Sequence, residues 1–334
     1  EKKAAGENGV HCHPETRPDI MEAEAVGRLL RIAEQVDVPV VIVHTTNIEA
    51  LDEIANARWR GQKVFVETCP QYLVLDDSVY YNEDWLQAAK YVCSPPIRKP
   101  ADREALWRAI RRGEVQTVST DHCSFTTQQK LAGRDDFTAI PGGIPGVETR
   151  GELIYTFGVA KKKIGLGAMC RVLAENPAKL YGLFPRKGVL APGSDADIVV
   201  YDPNADHVIR AEDMVGAADY NPYEGVVTKG SIRQVWLRGK PAVSSGKVLA
   251  GQDGKYLPRG KRPCWTRHWA ISSAASPRRC FWPRWRCWWR IWPGASTRSG
   301  PSSACCCAFC VPPAAWRCIS WESTRSISPS GTFS

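Results

Sequence analysis

Residues 37–46 read DVPVVIVHTT, an apolar, β-branched run that stops at a histidine, His44. A continuous Val/Ile run of this kind predicts a strand buried on both faces, as in a parallel sheet covered by helices. Upstream, Ala25, Leu29, Ile32 and Val36 recur at helical spacing behind a D-x-x-E pattern at Asp19 and Glu22, which predicts a capped helix leading into that strand. Downstream, Asn47 is a natural N-cap, Leu51, Ile54 and Ala55 give an apolar stripe, and Gly61 is placed to stop the helix. KVFVE at 63–67 predicts the next strand, and Tyr91-Val92-Cys93 a short one with the stiff exit SPPIR. Pro100 opens a helix that carries Leu106 and Ile110 and closes at Gly113. Val115 to Thr120 is then a fourth strand, ending at Asp121 and His122. Strands alternating with helices over short connections predict an α/β fold with a parallel wound sheet.

Between Phe125 and Gly146 the glycines and prolines predict a shaped loop without helix, and the mixed charges of 130–136 a solvated surface. Helical patterns resume at 148–160 and 166–174. From Gly188 the texture becomes short alternating strands between Gly/Pro/Asp turns, which predicts a small antiparallel β domain. The organisation expected is thus 1–187, 188–261 and a tail, 262–334.

Composition changes the picture chiefly in that tail. From Cys264 onward there are nine arginines, no lysine and one acid, Glu322, so this stretch carries +8 of the formal +9. The remainder is close to neutral, which gives no compositional case for nucleic acid or membrane binding. Eight of the 13 cysteines and nine of the 13 tryptophans also fall there, without helical or strand period. A frame-shifted, disordered extension accounts for this better than a membrane-active or metal-binding tract. The five other cysteines, Cys12, Cys69, Cys93, Cys123 and Cys170, show no C-x-x-C pairing and fit a reducing compartment. No apolar run is long enough for a membrane span, and EKKAAGENGV is not a signal peptide, so a soluble cytoplasmic protein is expected.

Candidate chemistry gathers at strand ends. His44 and Asp121 both stand at the carboxyl end of a predicted strand and could face one mouth of a parallel barrel. An imidazole and a carboxylate suit a borderline divalent ion such as zinc. A carboxylate there can also move a proton from an attacking water to a leaving group. The alternative for Asp121 is a helix N-cap, and for His44 a hydrogen-bonded structural histidine.

The segments HTTNIEAL, GQKVFVETCPQYL, KYVCSPPIR, TVSTDHCSF, KLAGRDDFTAIPGGIPGVETR, NPAKLYGLFPRKGVLAPGSDADIVVYDP and DYNPYEGVVTKG, in this order, resemble the dihydropyrimidinase/hydantoinase branch of the cyclic amidohydrolases. The similarity runs from about Glu1 to Gly260. It implies the last strands and helices of a metal-dependent (β/α)₈ TIM barrel with an attached β-sandwich. The activity implied is hydrolytic opening of a cyclic ureide, a dihydropyrimidine or 5-substituted hydantoin, to an N-carbamoyl amino acid. His44 then matches the last metal-binding histidine of the family, and Asp121 the aspartate that contacts metal and shuttles the proton. Ser94 matches the serine whose main-chain carbonyl accepts from the ring N–H. Gly142 falls where the family usually has an asparagine contacting substrate through backbone groups. His122 reads as structural.

The implied cofactor is a pair of divalent ions, zinc expected, that acidify a shared water and polarise the ring carbonyl. Small-molecule substrate and a homo-oligomer, dimer or tetramer, are the implied partners. The family's H-x-H pair, its bridging carboxylated lysine, a further histidine and its oxyanion-stabilising tyrosine are expected upstream of Glu1, which would leave this chain inactive alone. The H-C-H of His11 to His13 follows no strand and does not replace that pair. An allantoinase or dihydroorotase, and a non-catalytic scaffold homologue, remain alternatives at this point.

Overall fold

The structure is a computed structural model that describes residues 1–249, 251 and 254–260; the expectations about the tail lie outside the described residues. Three strands, β1 (Val40–Ile42), β2 (Val64–Thr68) and β3 (Thr117–Val118), form a parallel sheet in that order. β2 is the central strand, with Val40 paired to Val64 on one side and Glu67 to Thr117 on the other. Flanked on both edges, it is buried at four of its five residues. β1 lies at the edge, so the expected burial on both faces is corrected: Val38 and Val43 at its ends are 45% and 43% exposed. Tyr91 to Cys93 is not a strand either. Val92 and Cys93 are buried, but they run as irregular backbone whose Val92 carbonyl accepts from the Gly143 amide at 3.0 Å.

The helices follow local chemistry. Ile48–Trp59 is capped by the Asn47 side chain, which accepts from the Ala50 amide, and buries Ala50, Ile54 and Ala57. Pro100–Arg112 starts on its proline and ends on Gly113, whose φ of 77° is the left-handed value that favours glycine. Its Trp107 is almost fully buried and donates from Nε1 to the Leu73 carbonyl at 2.8 Å. The helix Asp19–Gln35 departs from expectation twice. Asp19 is its first residue, not a cap, and its buried stripe is Ala23, Val26, Leu30 and Ala33. The stripe Ala25, Leu29, Ile32 and Val36 is exposed.

The 125–146 segment, expected to be without helix, carries three short helical turns, Thr127–Lys130, Leu131–Gly133 and Phe137–Ala139, the first opened by a capping box between Thr126 and Gln129. Farther along, β4 (Ile198–Asp202), β7 (Ser231–Leu237), β8 (Lys240–Ser244) and β9 (Lys247–Val248) make an antiparallel sheet in that order, and β5 (His207–Val208) pairs with β6 (Val227–Thr228). Among the described residues no helix is long and apolar enough to cross a membrane.

Candidate active site

The parallel sheet delivers three chain ends to one side. His44 lies two residues beyond β1, Cys69 follows β2 directly, and Asp121 lies three beyond β3. The ladder continues past the formal strands, since Thr45 donates to the Glu67 carbonyl at 2.8 Å and Ser119 to Thr68 at 3.0 Å. Both candidate ligands sit in the left-handed region, His44 at φ 41° and Asp121 at φ 49°. Aspartate and histidine enter that region more readily than most side chains, and such backbone also gathers at functional positions. Asp121 is not a helix N-cap, because the next helical turn begins at Thr127. Cys69, between them, is fully buried with its sulfur 3.5 Å from the Ser119 hydroxyl, and burial pushes its thiol pKa up, so it remains protonated.

A salt-bridged knot fixes the backbone beyond His44. Arg98, 6% exposed, reaches Asp19 at 3.0 Å and Glu22 at 3.1 Å, and donates to the Thr46 hydroxyl at 3.0 Å and the Arg17 carbonyl at 2.6 Å. Glu22 accepts in turn from the Thr46 amide and hydroxyl. This is why the D-x-x-E pattern does not cap its helix: both carboxylates are drawn to the guanidinium, which presents a fork of donors. One buried group thereby ties the His44 loop to the 93–98 loop.

The 93–98 loop is gripped at several carbonyls. His13 Nε2 donates to Cys93 O at 2.8 Å, and Tyr72 OH to Pro95 O at 2.9 Å. Tyr80 OH accepts from the Ile97 amide at 2.9 Å. The facing loop, Pro141 to Ile144, is held as well: Lys130 donates to Pro141 O and Gly143 O at 2.7 and 2.8 Å, and the Cys123 amide to Ile144 O at 3.2 Å. Among the described residues the carbonyls of Ser94, Pro96, Ile97 and Gly142 accept no such bond, and of these four residues Ser94 and Gly142 are the ones open to solvent. They are neighbours, since a Cβ on Gly142 would lie 3.4 Å from the Ser94 hydroxyl. Next to it, a Cβ on Gly143 would fall 2.6 Å from the Cys123 carbonyl, so that close approach requires glycine.

Two residues here were not singled out by sequence reasoning. His13 belongs to the H-C-H stretch that follows no strand, yet it is 3% exposed, and burial lowers its pKa to about 4. Lys130 was assigned to a solvated charge run, and that reading is corrected: the side chain is fully buried. His122, beside Asp121, accepts at Nδ1 from the Gly146 and Val147 amides at 3.2 and 3.3 Å. The H-C-H stretch diverges, His11 stacking on Tyr81 while His13 points inward to Cys93. His11 and Cys12 cluster with Glu7 and Glu15, but the Lys2 ammonium already bridges those two carboxylates at 2.6 and 2.7 Å.

The Amidohydrolase family model matches residues 2–242. The chain belongs to the amidohydrolase family. Members are typically dependent on two metal ions. This amidohydrolase is 43% identical over 258 residues to a D-hydantoinase of Streptomyces coelicolor, an overlap of 77% of this chain and 55% of that one. It is 44% identical over 260 residues to a D-hydantoinase of Ralstonia pickettii, covering 77% and 56%. Among solved structures it is similar to the dihydropyrimidinase from Brevibacillus agri, with TM-score 0.72, 40% identity and coverage of 74% and 54%. The amidohydrolase chain thus spans about half the length of the relatives it matches.

Proposed function

We propose that the protein built on this chain hydrolytically opens a cyclic ureide, a dihydropyrimidine or 5-substituted hydantoin, and releases an N-carbamoyl amino acid. The observation that carries the reading is the pair of exposed main-chain carbonyls at Ser94 and Gly142, unbonded among the described residues, which are neighbours across the two loops. A cyclic ureide is a flat ring with alternating N–H and C=O, so it complements such peptide groups. The Ser94 carbonyl accepts from a ring N–H, and Gly142 contacts the ring through its backbone.

His44 and Asp121 have the chemistry of metal ligands, an imidazole and a carboxylate brought to the same end of one sheet, both on left-handed backbone. They are the residues that would hold divalent ions, zinc in this proposal. When bound, such ions lower the pKa of water and polarise a carbonyl. Asp121, exposed at the mouth, takes the proton of the attacking water and gives it to the departing ring nitrogen. Two donors hold a divalent ion weakly, so tight retention draws on further donors. Within this reading, 1–187 belongs to a TIM-barrel portion and 188–261 to a β-sandwich portion, and the working protein is a cytoplasmic homo-oligomer.

The relatives' names favour hydantoinase over allantoinase or dihydroorotase, and the paired metal-ligand candidates favour an enzyme over a scaffold. The test is incubation of the zinc-supplemented protein with dihydrouracil and with hydantoin, following N-carbamoyl product by chromatography. Ring opening of either is expected; turnover of dihydroorotate or allantoin alone would overturn the assignment.

A further inference from the structure

Lys130 is fully buried, yet no carboxylate pairs with it among the described residues. Its ammonium instead donates to three carbonyls, Val92 at 2.9 Å, Pro141 at 2.7 Å and Gly143 at 2.8 Å, and lies 5.5 Å from the Phe125 ring centroid. An ammonium has three N–H groups and no acceptor, so these carbonyls satisfy it completely. Val92 lies two residues before Ser94, and Pro141 and Gly143 are the two neighbours of Gly142. The Gly143 amide adds a direct bond to the same Val92 carbonyl. A buried charge without a counter-ion is costly and persists where it organises its surroundings. Here the groups it organises flank Gly142 on both sides and lie two residues before Ser94.

We propose that Lys130 is a positioning residue for the substrate clamp. Its three bonds set the spacing between the Ser94 and Gly142 main-chain groups, and with it the fit to the N–H/C=O edge of a cyclic ureide. The ureide part of this inference rests on the function proposed above; the clamp itself does not. Arginine cannot take over the role, because a planar fork does not converge three donors on one point. Burial lowers the Lys130 pKa to about 8 against the attraction of Cys93 and Cys123. Above that pH the amine keeps two N–H groups, and one of the three carbonyls loses its donor.

The test compares the full chain with Lys130→Met, which keeps length but no donor, and Lys130→Gln, which keeps two donors. Hydrogen exchange is read on peptides spanning 92–96 and 140–144, and binding is read with dihydrouracil by calorimetry. In Lys130→Met the exchange of these two peptides rises about tenfold while that of β2 is unchanged. The Kd for dihydrouracil and its KM rise about tenfold with a smaller change in kcat and the same metal content. Lys130→Gln lies between, and decides the matter if the methionine variant does not fold. Unchanged exchange in both loops, or equal loosening of the whole chain, overturns the proposal. If the two loops loosen as expected but the parent protein binds no dihydrouracil, the clamp stands and the hydantoinase reading fails.

Discussion

At the scale of single residues, His44 and Asp121 share a left-handed backbone just beyond the ends of two parallel strands. His44 and Asp121 could be found because an apolar run ending in a ligand-type side chain is visible in one dimension. Their left-handed backbone was not, since no local signal distinguishes it. That backbone decides how to test Asp121: asparagine tolerates the left-handed region and keeps the shape, whereas alanine adds strain to the loss of the carboxylate. Asp121→Asn is expected to lower kcat by about a thousandfold or more, as loss of an acid–base group and metal contact together would. Its melting temperature should stay within a few degrees of the parent's, and turnover near the parental rate would remove Asp121 from the proton relay. Lys130 and His13 were missed because charge and polarity argue for surface, and only the three-dimensional convergence of carbonyls overrides that. His13 has a measurable consequence. Its folded pKa of about 4 lies below the unfolded value of about 6.5, so between these the unfolded chain binds the additional proton. Stability from the neutral imidazole is therefore complete above about pH 6.5 and is lost as pH falls toward 4, by roughly 3 kcal/mol in all. Urea midpoints at pH 7 and pH 4.5 should fall less steeply with acid in His13→Gln, and parallel slopes would contradict the assignment.

At the scale of elements, capping and helix termination were legible wherever one local bond settles the matter. Asn47 and Gly113 are such cases. Tyr91-Val92-Cys93 was misread as a strand because three apolar residues look alike in a strand and in buried irregular backbone. The D-x-x-E motif failed for a long-range reason, the pull of Arg98 from 76 residues away in sequence on Glu22. Arg98 joins the helix Asp19–Gln35, the His44 loop and the 93–98 loop, so its removal strands partly buried carboxylates. Arg98→Met is expected to cost about 3–5 kcal/mol in urea unfolding. Adding Glu22→Gln to it should recover part of that loss, because the uncompensated charge is then gone. A cost below about 1 kcal/mol for Arg98→Met would mean that the knot is not a structural tie.

At the scale of the whole molecule, the alternation of helix and strand announced a parallel sheet, while its extent depended on what lies beside β1. The helix Asp19–Gln35 carries two apolar stripes, and periodicity alone could not say which is covered. The covered one, with Leu30 at 1% exposure, packs inward; Leu29, Ile32 and Val36 are 44%, 58% and 62% exposed. Val38 and Val43, at the ends of edge strand β1, are exposed too. An apolar stripe open to water contributes little to folding, because its transfer free energy is not collected. Leu30→Ala is therefore expected to cost about 2–5 kcal/mol, and Ile32→Gln to stay within about 0.5 kcal/mol. The same stripe should bind the dye ANS in the folded chain, with lower fluorescence in a chain carrying Ile32→Gln and Val36→Gln. If Ile32→Gln were as damaging as Leu30→Ala, the stripe would be covered in solution, and this side of the sheet would be interior and not edge.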